Sequence, residues 1–204
     1  MKIVVGRASC LTIDKIGRFL YKTYVEEGGW QFGTDTPSML RISTNKKGEN
    51  ILQDKFMESS IWTLAFENND IVGCFRMIDG REGPIELFGY QERSSTIENL
   101  RTEEGLIEVN RLALAKEFRG QNNYLQLLNG FDKWMKENDR TDQIVFSLAT
   151  NLVPHFGNFY EALGFKKVGK TFKYEDNDPH PVQLYSGHSS VIAKNLLEQD
   201  QKST

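Results

Sequence analysis

The sequence predicts a mixed α/β domain, a central sheet flanked by helices, and three observations carry that expectation. Two extended runs, Trp62 to Glu67 and Ile71 to Met77, are separated only by Asn68, Asn69 and Asp70, residues suited to a tight hairpin turn. A second apolar run, Ile107, Val109, Leu112, Ala113 and Leu114, is interrupted only by Glu108, Asn110 and Arg111, as expected of a strand largely buried in a sheet. That run passes through a Gly-containing turn into a long amphipathic helix with Leu125, Leu127, Leu128, Phe131, Trp134 and Met135 at mostly helical spacing. Last, Gln143 to Ala149 reads as a strand, Pro154 to Leu163 as a short helix stopped by Gly164, and Phe165 to Lys173 as another strand.

The remaining elements follow from local patterns. Residues 2–10 contain a short strand. Ile13 to Glu26 forms a helix with Ile13, Ile16, Leu20 and Tyr24 on one side, Thr12 as its cap and Gly28-Gly29 as its end. Thr44 to Asn50 is a polar loop, Ile51 to Met57 a short second helix, and Ile85 to Tyr90 a short extended piece. Ser95 and Glu98 stand in capping-box spacing, which places a short helix over Ser95 to Arg101. The loop Tyr174 to Pro181 precedes a final strand, Val182 to Tyr185, a closing helix from His188 to Leu197 and a frayed tail.

At 204 residues the chain fits one domain with a substantial core. The expected division is residues 12–60 as N-terminal helices, 61–187 as the sheet core and 188–204 as closing helix and tail. A net charge of −3 without a long basic run argues against a nucleic-acid or anionic-membrane partner held by bulk electrostatics. Cys10 and Cys74 are isolated, and His155, His180 and His188 are scattered, so neither a metal nor a disulfide framework is expected. The opening MKIVVGRASC is not a signal peptide and no stretch is long enough to span a bilayer, so a cytoplasmic protein is expected.

Polar groups in a buried strand need partners or a task. Glu108 is the first candidate. Desolvation would raise its pKa toward the range useful to a general base; the competing reading is an ion pair with Arg111, which needs a bulge because the two point to opposite faces of a regular strand. Arg76, within the hairpin, is either a guanidinium fork for a substrate carboxylate or the partner of an acid on an adjacent strand. Trp30 and Phe32 either line an apolar pocket or staple the exit of the first helix. Arg18 and Arg41 either face substrate or are solvated surface residues, the surface reading being favoured for Arg41. The turn Arg119, Gly120, Gln121, Asn122 and Asn123, between a strand and a helix N-terminus, is an anion site in which free backbone N–H groups meet phosphate.

Arg119-Gly120-Gln121-Asn122, followed by Asn158-Phe159-Tyr160-Glu161-Ala162-Leu163-Gly164-Phe165, resembles the GCN5-related N-acetyltransferases, the GNAT superfamily. The resemblance implies a largely antiparallel sheet, splayed to admit pantetheine. It also implies a coenzyme A pyrophosphate over the first motif and pantetheine along the second, with Asn158 in contact. A narrower resemblance runs through Gly73-Cys74-Phe75-Arg76-Met77, Gly83-Pro84-Ile85-Glu86-Leu87-Phe88 and Glu108-Val109-Asn110-Arg111. Their order is similar to that of the autoinducer synthases and N-acyl amino acid synthases, which take long acyl groups from acyl carrier protein. Together the two cover roughly residues 15–170. The sequence departs from both patterns: Asn122 and Tyr124 stand at positions that are small in the phosphate loop, Asn110 replaces a serine, and the acidic pair after the tryptophan is missing, with only Asp35 nearby.

From these resemblances follow a catalytic pair, Glu108 for the amine proton and Tyr160 for the departing thiolate. A bulged strand would leave an N–H near Leu114 to bind the thioester oxygen, and Arg76, Arg111 and Trp30 would bind substrate. The expected donor is acetyl-CoA or another acyl-CoA, the acceptor a primary amine of a small molecule, and no metal takes part. The alternatives are an enzyme of the autoinducer or acyl amino acid type fed by acyl carrier protein and a non-catalytic module that binds a pantetheine ligand or a protein; Asn122 and Tyr124 favour either of these, and Tyr160 with the Leu163-Gly164-Phe165 helix end favours the first reading.

Overall fold

The computed structural model describes residues 1–31, 38–93, 105–150, 154–173 and 181–202. In chain order it contains β1 (Lys2–Arg7), α1 (Cys10–Leu20), a π-helical turn (Tyr21–Glu26), β2 (Arg41–Thr44), β3 (Asn50–Gln53), β4 (Ile61–Glu67) and β5 (Asp70–Asp79). A 3-10 segment (Glu86–Arg93), β6 (Ile107–Leu114), a 3-10 turn (Lys116–Phe118), α2 (Gln121–Glu137), β7 (Ile144–Thr150), α3 (Pro154–Ala162), β8 (Lys166–Phe172), β9 (Val182–His188) and α4 (Ser189–Lys202) complete it. Seven strands form one sheet in the order β1-β4-β5-β6-β7-β9-β8, and β2 pairs with β3 separately. The mixed α/β class is therefore as the sequence predicts. Of the pairings whose register is defined in the large sheet, only β6 with β7 is parallel.

Contacts gather into two compact units, Met1–Met77 with Arg111–Phe131, and Ile78–Asn110 with Asp132–Thr204. Each has its own buried residues. In the first, α1 buries Ile13, Ile16, Phe19 and Leu20 in a cluster with Leu52, Met57, Trp62, Leu64, Cys74, Leu114 and Leu127. The β4–β5 hairpin turns on Asn68 and Asn69, both at positive φ (50° and 69°), as a type I′ connection requires. Two glycines admit close neighbours there: a Cβ on Gly73 would stand 2.6 Å from a Leu114 methyl, and one on Gly130 2.6 Å from Thr63. In the second unit Val145, Phe146, Tyr160, Leu163, Phe165, Leu184, Tyr185, Ile192 and Leu196 are buried.

Several local expectations are corrected. Ile51 to Met57 is not a helix: Asn50–Gln53 is β3, antiparallel to β2, and turns follow it. The β-branched Ile51 and its neighbour Leu52 pack as strand residues against α1, where Gly17 leaves room for the Leu52 carbonyl at 2.9 Å. Ser9, not Thr12, caps α1, with its hydroxyl accepting from the Thr12 N–H at 3.4 Å. Residues 86–90 are 3-10 helix and not extended. β9 runs on to His188, and α4 continues through much of the segment expected to fray. The expected helix over 95–101 and the residues Phe32 and Asp35 lie outside the described residues.

Candidate active site

Strand β6 positions most of the candidate side chains, and its two halves do so differently. Its N-terminal half pairs in parallel with β7 at three positions, Ile107 with Val145, Glu108 with Phe146 and Val109 with Ser147. Glu108 is 1% exposed. One of its carboxylate oxygens accepts the Leu87 N–H at 2.8 Å, a donor left open by the first turn of the 3-10 segment, and the other accepts from Asn110 Nδ2 at 3.0 Å. Asn110 Nδ2 also donates to Glu86 at 3.2 Å, so one amide bridges two buried carboxylates. The residue that departs from the autoinducer pattern thus satisfies the acid beside it, and Glu108 does not need Arg111 to be satisfied.

Arg111 itself has φ of +53°, a left-handed conformation that a non-glycine residue adopts at a cost of about 1–3 kcal/mol. This is the irregularity that the resemblance implies for the strand, and side chains hold it in place. The Arg111 carbonyl accepts the Cys74 thiol at 3.3 Å, and the Leu112 carbonyl accepts the Tyr24 hydroxyl at 3.4 Å. Burial pushes the Cys74 thiol well above its ordinary pKa, so it stays protonated and able to donate. Trp30 stacks on Tyr24 with centroids 5.4 Å apart, which favours its reading as a staple at the exit of the first helix.

The guanidinium of Arg111 donates from Nη2 to Asp54 at 2.9 Å. Arg76, fully buried, donates from Nη1 to both Asp54 oxygens at 2.6 Å, with its guanidinium carbon 5.7 Å from the Trp62 ring centroid and 5.9 Å from that of Phe56. Asp54 also accepts the Phe56 N–H at 2.9 Å. Burial alone would raise its carboxyl, but Arg76 and Arg111 together with their hydrogen bonds outweigh it and hold the group below the usual carboxylate range. Asp54 is the buried acid that the sequence reading missed. It lies in the turn after β3, a segment misread as helix. The one available signal was an aspartate two residues after the apolar pair Ile51-Leu52.

In the second unit, Tyr160 on α3 shares a hydrogen bond of 2.7 Å with Ser147, stacks on Tyr185 at 5.0 Å and meets Phe165 edge-on at 5.2 Å. Burial raises its pKa, partly opposed by the Ser147 bond, so the phenol keeps its proton. Ser147 pairs with Val109, and neighbouring side chains on a strand alternate, so the phenol lies on the sheet face opposite to Glu108. The two candidates do not touch. Asn158, on the same helix, is exposed.

At the phosphate turn, Arg119 donates from Nε to the Leu114 carbonyl at 3.1 Å and from Nη2 to Glu27 at 2.6 Å. Asn123 donates to the Phe118 carbonyl at 2.9 Å and Asn122 is exposed. A Cβ on Gly120 would meet nothing within 4 Å, so that side of the turn is open. The Ala115 N–H, next to Leu114, is committed to the Val72 carbonyl at 2.8 Å. Arg18 is a surface residue paired with Glu26, and Arg41 is exposed. Among the described residues, no group of three or more His, Cys, Asp or Glu could hold a metal, and no helix is long and apolar enough to cross a membrane.

No protein-family model matches the chain, and no curated protein is similar to it in sequence. Solved structures are similar in fold. FeeM, an N-acyl amino acid synthase from uncultured soil microbes, superposes with a TM-score of 0.66 at 17% identity, covering 97% of this chain and 96% of its own. MesI, a CoA-dependent acyl-homoserine lactone synthase, gives 0.65 at 14% identity, covering 98% and 95%. An acetyltransferase of the GNAT family from Staphylococcus aureus gives 0.56 at 13% identity, covering 92% and 99%. The chain has the GNAT fold. In β6 the described parallel pairing with β7 ends at Val109, and a left-handed residue, Arg111, stands two positions later.

Proposed function

We propose that the chain is an N-acyltransferase that moves an acyl group from a pantetheine thioester to a primary amine of a small molecule. The observation that carries this reading is β6, where a fully buried, hydrogen-bonded glutamate lies three residues before a strained left-handed arginine. Strain and buried charge both cost stability, and a strand that keeps both next to each other fits a site better than a structural role. In the reaction, the amine nitrogen bonds to the thioester carbon and the carbon–sulfur bond breaks. Glu108 takes the ammonium proton, directly or through water, and the Tyr160 phenol protonates the thiolate and is replenished from solvent. A backbone N–H near Leu114 receives the developing oxyanion.

Arg76 and Arg111, organised by Asp54, form the acceptor side in this reading. A second reading has a specific observation in its favour. The synthases of N-acyl amino acids and acyl-homoserine lactones superpose with higher TM-scores than the acetyltransferase. That favours a donor of the synthase type, with the acyl group on CoA or on acyl carrier protein, as an alternative to acetyl-CoA. Intact-mass detection of transfer from acetyl-CoA, a long acyl-CoA and acyl carrier protein to pooled amines distinguishes the readings. No transfer from any donor, with ligand binding retained, would leave a non-catalytic binding module.

Two substitutions test the assigned roles. Tyr160→Phe keeps the ring against Tyr185 and Phe165 and removes only the hydroxyl, so turnover should fall about 10²-fold or more with little change in donor affinity. A wild-type rate would remove the phenol from the mechanism. Arg119→Ala should weaken binding of a phosphate-bearing donor while the unfolding midpoint stays near wild type, since its ion pair is part-exposed. Unchanged donor affinity in a calorimetric titration would count against the turn as a phosphate site.

A further inference from the structure

The side of the Arg119 guanidinium formed by Nε and Nη2, the fork that would clasp a phosphate, is divided between the Leu114 carbonyl and the carboxylate of Glu27. Resting on the reading of the 119–123 turn as a phosphate site, we infer that Glu27 is a specificity-determining residue of the donor site. Its carboxylate occupies the arginine and weakens binding of phosphate-bearing donors relative to phosphate-free ones. The position of Glu27 is set by the main chain. Its N–H bonds to the Lys22 carbonyl at 2.9 Å as the π-helical turn ends, and Gly29 and Trp30 bond back to Val25 and Tyr24 at 3.1 and 3.0 Å. Gly29, at φ of +67°, supplies the left-handed residue that this reversal needs.

Neighbouring Glu26 turns to Arg18 on the surface, 2.9 Å away, so of two consecutive acids only one is directed at the turn. The Arg119–Glu27 pair is exposed by 43% and 21%, which makes its contribution to folding small and its opening feasible. For an incoming phosphate the same carboxylate acts twice. It competes for the fork, and if it remains nearby it repels the anion. The open side of Gly120 leaves space for a phosphate, so the obstacle there is electrostatic.

The test is calorimetric titration of wild type, Glu27→Gln, Arg119→Gln and the double variant with CoA, and with S-acetylpantetheine as the phosphate-free probe. Glu27→Gln should tighten CoA binding roughly two- to fivefold and leave S-acetylpantetheine unchanged, and the gain should vanish in the Arg119→Gln background. Unfolding midpoints confirm that each variant is folded. Should Glu27→Gln not fold, Glu27→Asp, which shortens the reach, supplies the same comparison. Unchanged or weaker CoA binding, equal tightening of both probes, a gain that survives without Arg119, or no CoA binding to any variant would overturn the inference. Acyl transfer is a separate readout: its absence alongside the expected binding pattern defeats the acyltransferase reading and leaves the role of Glu27 standing.

Discussion

Replacing Asp54 with alanine should destabilise the protein by about 3–5 kcal/mol, seen as a lowered urea midpoint at unchanged slope, and should abolish activity. The carboxylate is almost fully buried and answers two guanidiniums, one of them fully buried. Without it those cations keep their desolvation cost and lose the group that offsets it. Arg111 also loses a tether at its left-handed position, so the shape of β6 suffers along with the stability. A midpoint near wild type would mean that the two arginines find other acceptors easily, and Asp54 would not be the organising acid.

The same cluster predicts a pH dependence. The Asp54 carboxyl sits below its ordinary value of 3.8 in the folded state, so the unfolded chain binds its proton more readily. Its contribution to stability is therefore complete above the unfolded value and is lost as pH falls through the folded one. The difference in unfolding free energy between wild type and Asp54→Asn should be flat above about pH 5 and shrink at lower pH. A difference that grew on acidification would reverse the assignment of charge.

Glu108→Gln should reduce turnover by about 10²- to 10⁴-fold, most severely at low pH, and recover as the pH rises and the amine deprotonates unaided. The structural side of this substitution is as specific as the chemical one. Glu108 accepts from both the Leu87 N–H and Asn110 Nδ2, whereas glutamine offers one acceptor and one NH₂. If its oxygen stays on Leu87, two amide donors face each other at Asn110. Rotating the Asn110 amide instead turns its oxygen toward Glu86. Some loss of stability, about 1–3 kcal/mol for the broken buried bond, should accompany the loss of rate. The pH-dependent recovery separates the two causes, because a merely distorted site gains nothing from a neutral amine. A wild-type rate across pH with a confirmed substrate would make the polar residues of this strand structural.

Much of this protein was legible before folding was considered. Strand β6, its turn and helix α2 were visible because burial imposes an apolar run on a central strand, and a helix that covers a sheet needs a stripe at helical period. The hairpin at Asn68-Asn69 and the stop at Gly164 were visible because positive φ selects few residue types, and all three do adopt it. The bulge followed from the family resemblance, since nothing in the residues themselves marks Arg111 as left-handed.

What only the tertiary structure decided was partnership. In sequence, Glu108 and Arg111 look like a pair; in the fold, a backbone N–H of a distant 3-10 segment and an asparagine satisfy the acid, and an aspartate 57 residues away takes the arginine. Asp54 was hidden because β3 is only four residues long and buries the consecutive Ile51 and Leu52, which gives no alternation to tell it from a helical turn. The division of Arg119 between Leu114 and Glu27, and the opposite faces of Glu108 and Tyr160, depend on register and chain reversal. Local sequence determines which residues are buried, because burial follows side-chain chemistry and period; which of them meet is set by long-range packing, where any buried charge must take whatever partner the fold brings within reach.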